Sequence, residues 1–114
     1  MTISTTDTPV LDLLASMTAD SIEASSLDPE TLVLVRIAAL AAVDAPAVSY
    51  LLNLGAASDI GVEPDQIRGV LAAVAPLVGT ARIASATGKI GKALNVAIEI
   101  AELEAEEEED EEDR

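Results

Sequence analysis

Apolar residues along the chain recur at helical spacing and fall into five blocks separated by Pro, Gly and acidic residues. Val10, Leu13, Leu14, Met17 and Ser21 predict an amphipathic helix over about residues 9–25, capped by Asp7 or Thr8, with Pro9 in its first position. Ser25, Ser26 and Leu27 break it. Asp28-Pro29-Glu30-Thr31 starts a second helix. The Asp carboxylate accepts from open backbone N–H groups, Pro has no N–H to leave unpaired, and Glu suits the positive end of the helix dipole. This helix, to about Val43, is apolar nearly all round, so it belongs at the centre of the domain or at a subunit interface.

Asp44-Ala45-Pro46 ends that helix and opens a third, to about Asp59, which carries Val48, Leu51, Leu52 and Leu54 beside the small Gly55, Ala56 and Ala57. Gly61 fits a helix C-terminal cap. Glu63-Pro64-Asp65 repeats the acidic-Pro start, and Ile67, Val70, Leu71 and Val74 mark the fourth helix, which Pro76 should kink or end. Gly79 marks a corner. The last helix carries Ile83, Thr87, Ile90, Leu94, Ala97 and Ala101 and frays into an acidic tail. No segment sustains period-two alternation, so the expected class is all-α: a five-helix domain.

At 114 residues the prior is one domain. The chain has no Cys, His, Trp or Phe, and Tyr50 is its one aromatic residue. Disulfides, a Cys nucleophile, a Cys/His zinc site, a Ser-His-Asp triad and a His general base are therefore excluded. Six basic against 21 acidic residues give a net charge of −15, which disfavours nucleic acid and anionic membranes as partners. The charge is concentrated in residues 99–114, which hold eleven acids and one base, a net −10. A run of like charges with nothing apolar to bury is expected to be solvated and disordered. The expected organisation is a flexible N-terminus over 1–8, a helical domain over 9–103 and a disordered acidic tail over 104–114. The apolar stretches Leu32–Val35 and Ile37–Val43 are too short, even joined, to span a bilayer. Met1–Pro9 has neither a basic residue nor an apolar core and is not expected to be a signal peptide, so a cytoplasmic, soluble protein is expected.

Few residues carry candidate chemistry. Asp59, Glu63 and Asp65 suit a hard cation by residue type, but each sits at a helix boundary, and capping is the expected role. No metal is expected. Arg36, the one charge in an apolar helix, needs an anionic or carbonyl partner. It can pair with Asp44, Asp59 or a helix C-terminus, or hold a substrate carboxylate in its bidentate fork. Ser49 and Asn53 share one face of the third helix, with Tyr50 one residue aside, and either line a small polar pocket or bond neighbouring helices. Lys89 and Lys92 flank Gly88 and Gly91 without Walker A spacing, so close helix packing with solvated lysines is expected. These lysines also offer the acidic tail a contact. The tail itself serves solvation, docking to a basic protein, or loose divalent-cation binding.

Leu27-Asp28-Pro29-Glu30-Thr31 followed by Leu34-Val35-Arg36-Ile37-Ala38-Ala39-Leu40 resembles the carboxymuconolactone decarboxylase-like family, which includes the alkylhydroperoxidase D-type proteins. The resemblance continues through Asp44-Ala45-Pro46, Gly61-Val62, Gln66-Ile67 and Val70-Leu71 to Ala75-Pro76-Leu77-Val78-Gly79 and Arg82, covering about residues 27–94. It implies an all-α fold assembled as a trimer or hexamer. Aligned on Gly61, the Cys-x-x-Cys pair of the family's redox branch falls on Pro46 and Ser49, and the His that follows it falls on Asn53. The acid three residues before the family's Arg falls on Val33.

Disulfide-based peroxide reduction is thereby excluded. Asn53 cannot move a proton near neutral pH as the decarboxylase branch's His does. Arg36 matches the family's Arg. The resemblance thus names Ser49, Tyr50 and Asn53 as candidates for a surviving pocket, with Arg36 and Arg82 as candidate substrate-binding residues. Two functional expectations follow. One is a non-catalytic homo-oligomer that displays acidic tails to a basic partner. The other is a cofactor-free lyase, or a binder of a small carboxylate or lactone.

Overall fold

In a computed structural model, residues 8–112 form five helices: α1 (Pro9–Ala24), α2 (Pro29–Ala42), α3 (Ala47–Asp59), α4 (Pro64–Val78) and α5 (Thr80–Glu112). The expectation of a flexible, leaderless N-terminus concerns residues that lie, apart from Thr8, outside those described. The all-α class stands: no strand occurs among the described residues.

The helix starts follow from side chains at their first turns. Asp28 Oδ1 accepts from the Thr31 N–H at 2.8 Å, and Oδ2 accepts from the Thr31 hydroxyl at 3.1 Å. These bonds favour the Asp28 anion and hold its carboxyl below the usual range. At α4, the Gln66 side chain accepts from the Glu63 N–H at 2.8 Å, half of a capping box. Gln66 also donates to the Glu30 carboxylate, tying the first turns of α2 and α4 together.

Two helices end in the same way. After α3, Gly61 at φ +82° lets the Val62 N–H reach the Ala57 carbonyl at 2.9 Å, the Schellman arrangement. After α2, the left-handed position is held by Asp44 at φ +52°, and the Ala45 N–H reaches the Leu40 carbonyl at 3.0 Å. Pro76 does not end α4, which continues to Val78. Without an N–H, Pro76 forgoes one bond of the ladder, and the helix stops three residues on at Gly79, φ +95°.

α2 packs on α3, α4 and α5, and α3 packs on α5. The core is one buried face from each partner. Val33, Ile37 and Ala41 come from α2, Tyr50, Leu54 and Ala57 from α3, and Ala86, Ile90 and Ala93 from α5, with Leu71 from α4. Alanine at a helix contact allows close backbone approach, which compensates for the scarcity of large side chains. α2 is central on this face, but Val35 and Val43 remain exposed on others.

Two parts of the molecule contribute no buried residue. α1 buries none of its sixteen residues and exposes Leu11, Leu13, Leu14 and Met17. α5 is exposed at every described side chain from Leu94 to Glu108. The radius of gyration, 17.2 Å, exceeds the ~13 Å of a compact chain of this length. The helix continues unbroken through residues 104–112, where the acidic composition predicts disorder. The physical basis for helix here is that Glu and Ala are good helix formers and the segment elongates a helix already nucleated on the body.

Candidate functional site

Pro9 and the apolar spacing make α1 a helix, which buries no residue and meets α2 through Ser21 and Arg36. Between the three helices is a cleft of about 590 Å³. α1 contributes Met17, Thr18, Ser21 and Ile22, α2 contributes Arg36, Ala39 and Leu40, and α3 contributes Leu52, Asn53 and Ala56. Arg36 stands one position before the core residue Ile37, which turns it away from the interior and into this cleft. Its Nη2 donates to the Ser21 hydroxyl at 3.1 Å. Asn53 is half-buried, and its Nδ2 donates to the Ser49 carbonyl one turn back at 2.8 Å, which directs the amide along α3.

Arg36 thus pairs with neither Asp44, Asp59 nor a helix C-terminus, the structural partners the sequence suggests. Its one described partner is a neutral hydroxyl. The cleft joins Arg36 and Asn53 but not the other candidates. Tyr50 lies on the i, i+4, i+7 face with Leu54 and Ala57, fully buried in the core. Its hydroxyl has no hydrogen-bond partner. Burial, and next the nearby Asp44 charge, push its ionisation above the ordinary value. Ser49 is half-buried and does not line the cleft.

Arg82 is held elsewhere: its Nη1 donates to the Ala42 carbonyl at 3.2 Å, satisfying the end of α2. Lys89 is not a solvated lysine but an anchor. Its Nζ meets Asp44 Oδ1 at 2.8 Å and the Asp44 carbonyl at 3.3 Å. Ser85 donates to the same carboxylate at 2.7 Å. The Lys89 bond first, and the Ser85 bond next, hold the Asp44 carboxyl below its usual range. An acid at a helix C-terminus opposes the dipole, and the two α5 cations offset it.

The boundary carboxylates divide by role. Glu63 belongs to the α4 cap, Asp65 pairs with Arg68 at 2.7 Å on the surface, and Asp59 closes α3 without capping it. No group of three metal-ligating side chains occurs among the described residues. The polar cleft residues missed from sequence are Thr18 and Ser21. α1 was legible as amphipathic, but only the structure places Ser21 beside Arg36.

The five helices, with Arg36 of α2 and Asn53 of α3 lining one cleft, define an all-α domain. The chain belongs to the carboxymuconolactone decarboxylase family, whose model matches residues 9–90. The match takes in α1, beyond the 27–94 span of the motif resemblance, and so includes the helix that forms one wall of the cleft. No curated protein and no solved structure matches the chain.

Proposed function

We propose that this protein is a non-catalytic, homo-oligomeric member of the family, cytoplasmic, that presents acidic C-terminal helices. One observation carries this reading: the polar cleft residues are Thr18, Ser21, Arg36 and Asn53, none of which exchanges a proton near neutral pH. Oligomerisation is supported by the apolar side chains exposed on α1 and α5, more than a small monomer ordinarily leaves in water. No helix among the described residues is long and apolar enough to cross a membrane. Several copies would present several acidic helices at once, so weak single contacts to a basic protein gain avidity.

A second reading, binding or lyase chemistry on a small carboxylate or lactone, is favoured by Arg36 lining a cleft with only a hydroxyl partner. Native mass spectrometry of the full chain separates the two. An oligomer with no added mass, or with a basic protein attached, is expected. An oligomer carrying a discrete small-molecule mass that Arg36→Met abolishes would replace the first reading with the second.

A further inference from the structure

The face of α5 that packs on the body is Ala86, Ile90 and Ala93. The same helical period carries this face past the body through Ala97, Ile100 and Ala101, flanked by Leu94, Val96, Ile98 and Leu103. Nothing among the described residues covers it: Val96 is 38% exposed, Ile100 48% and Leu103 60%. Asn95, Glu99, Glu102 and Glu106 fall on the opposite side. Residues 97–112 thus form an overhang of about 24 Å at 1.5 Å per residue, with an apolar face as far as Leu103. The family match ends at Ile90, so this overhang is an addition to what the family model describes. At its root lies an apolar groove of about 190 Å³, lined by Ala47, Val48 and Leu51 of α3 and by Lys92, Ala93 and Val96 of α5.

We infer that the overhang is covered by the same segment of a second copy, running antiparallel and centred between Glu99 and Ile100. In that register Leu103 of each chain meets Val96 of the partner subunit at the groove, and Glu107 lies beside Lys92 of the partner subunit. The charge pattern selects the direction. A parallel pair sets Glu104 and Glu106–Glu108 against their own copies, where like charges repel. The antiparallel pair separates the two acidic ends and brings each to a lysine on the other body. A two-fold interface of this kind is self-complementary and closes at two copies. The inference deepens the oligomeric reading and rests on it.

The cysteine-free chain gives a blank background for the test. Val96→Cys and Leu103→Cys are made separately in the full chain, checked for unchanged helical circular dichroism, and oxidised mildly alone and mixed. Leu77→Cys, at a site 88% exposed on α4, reports random collision. The mixture is expected to give at least tenfold more disulfide-linked dimer than either variant alone. Linking by each variant alone would show a parallel pair, and linking no better than Leu77→Cys would show no pair; both overturn the inference. The mass of the unsubstituted protein in solution separates the two levels. An oligomer without the 96–103 link removes the α5 pairing and leaves the oligomeric reading standing, whereas a monomer removes both.

Discussion

The cleft and the corner at the end of α2 use their cations in opposite ways. At the corner, Lys89 and Arg82 reach across from α5 to a carboxylate and to open carbonyls, and each charge answers an identifiable electrostatic need of the fold. In the cleft, Arg36 meets a hydroxyl from the least packed helix in the molecule. The difference separates structural charge from charge left over. A cation that neutralises a helix end is explained by the fold, whereas one held beside a weakly docked helix is not.

The largest effect is expected at the corner. Asp44→Ala loses the Lys89 and Ser85 bonds and forces an alanine into the left-handed region, so its melting temperature should fall by roughly 5–10 °C. Arg36→Met, which keeps the aliphatic stem, should lower it by no more than about 2 °C in the same calorimetric scan. Equal losses would erase the distinction between the two regions.

The corner should also respond to acid. The Asp44 carboxyl is held below its ordinary value, so its stabilisation is present above the unfolded value of about 4 and is lost as pH falls through the lower, folded one. The melting-temperature gap between the unsubstituted protein and Asp44→Asn should therefore be constant above about pH 4 and narrow below it. A gap unchanged at lower pH would remove the ionic part of the account.

The smallest effect is expected between the two regions, at Tyr50. Its buried hydroxyl has no partner, so Tyr50→Phe removes a desolvated group and loses no bond. Urea unfolding should show no change or a gain of up to about 1 kcal/mol. A loss of more than about 2 kcal/mol would reveal a hydrogen bond in solution and move Tyr50 from the packing to the polar network.

Local chemistry made the helix boundaries legible. Asp28 caps α2, and Gly61 and Gly79 take positive φ at the cap and the corner the pattern assigns them. The spacing of Tyr50, Leu54 and Ala57 already marks a buried face, but grouping Tyr50 with its polar neighbours Ser49 and Asn53 hid it. The partners of Arg36 and Lys89 were not legible, because Ser21 is 15 residues away and Asp44 is 45. Such pairs are set by how helices dock, which single-helix periodicity does not encode. At 104–112 composition measures repulsion but not the helix already running into the segment.

Tyr50 has one consequence beyond stability. With no Trp in the chain, near-ultraviolet absorption and emission come from this single phenol at the centre of the core. The protein carries its own one-site optical probe. In alkaline titration the folded chain should stay spectroscopically silent past the pH at which free tyrosine turns to phenolate. The phenolate band would then appear together with loss of the fold, reporting opening of the helical core without any added label.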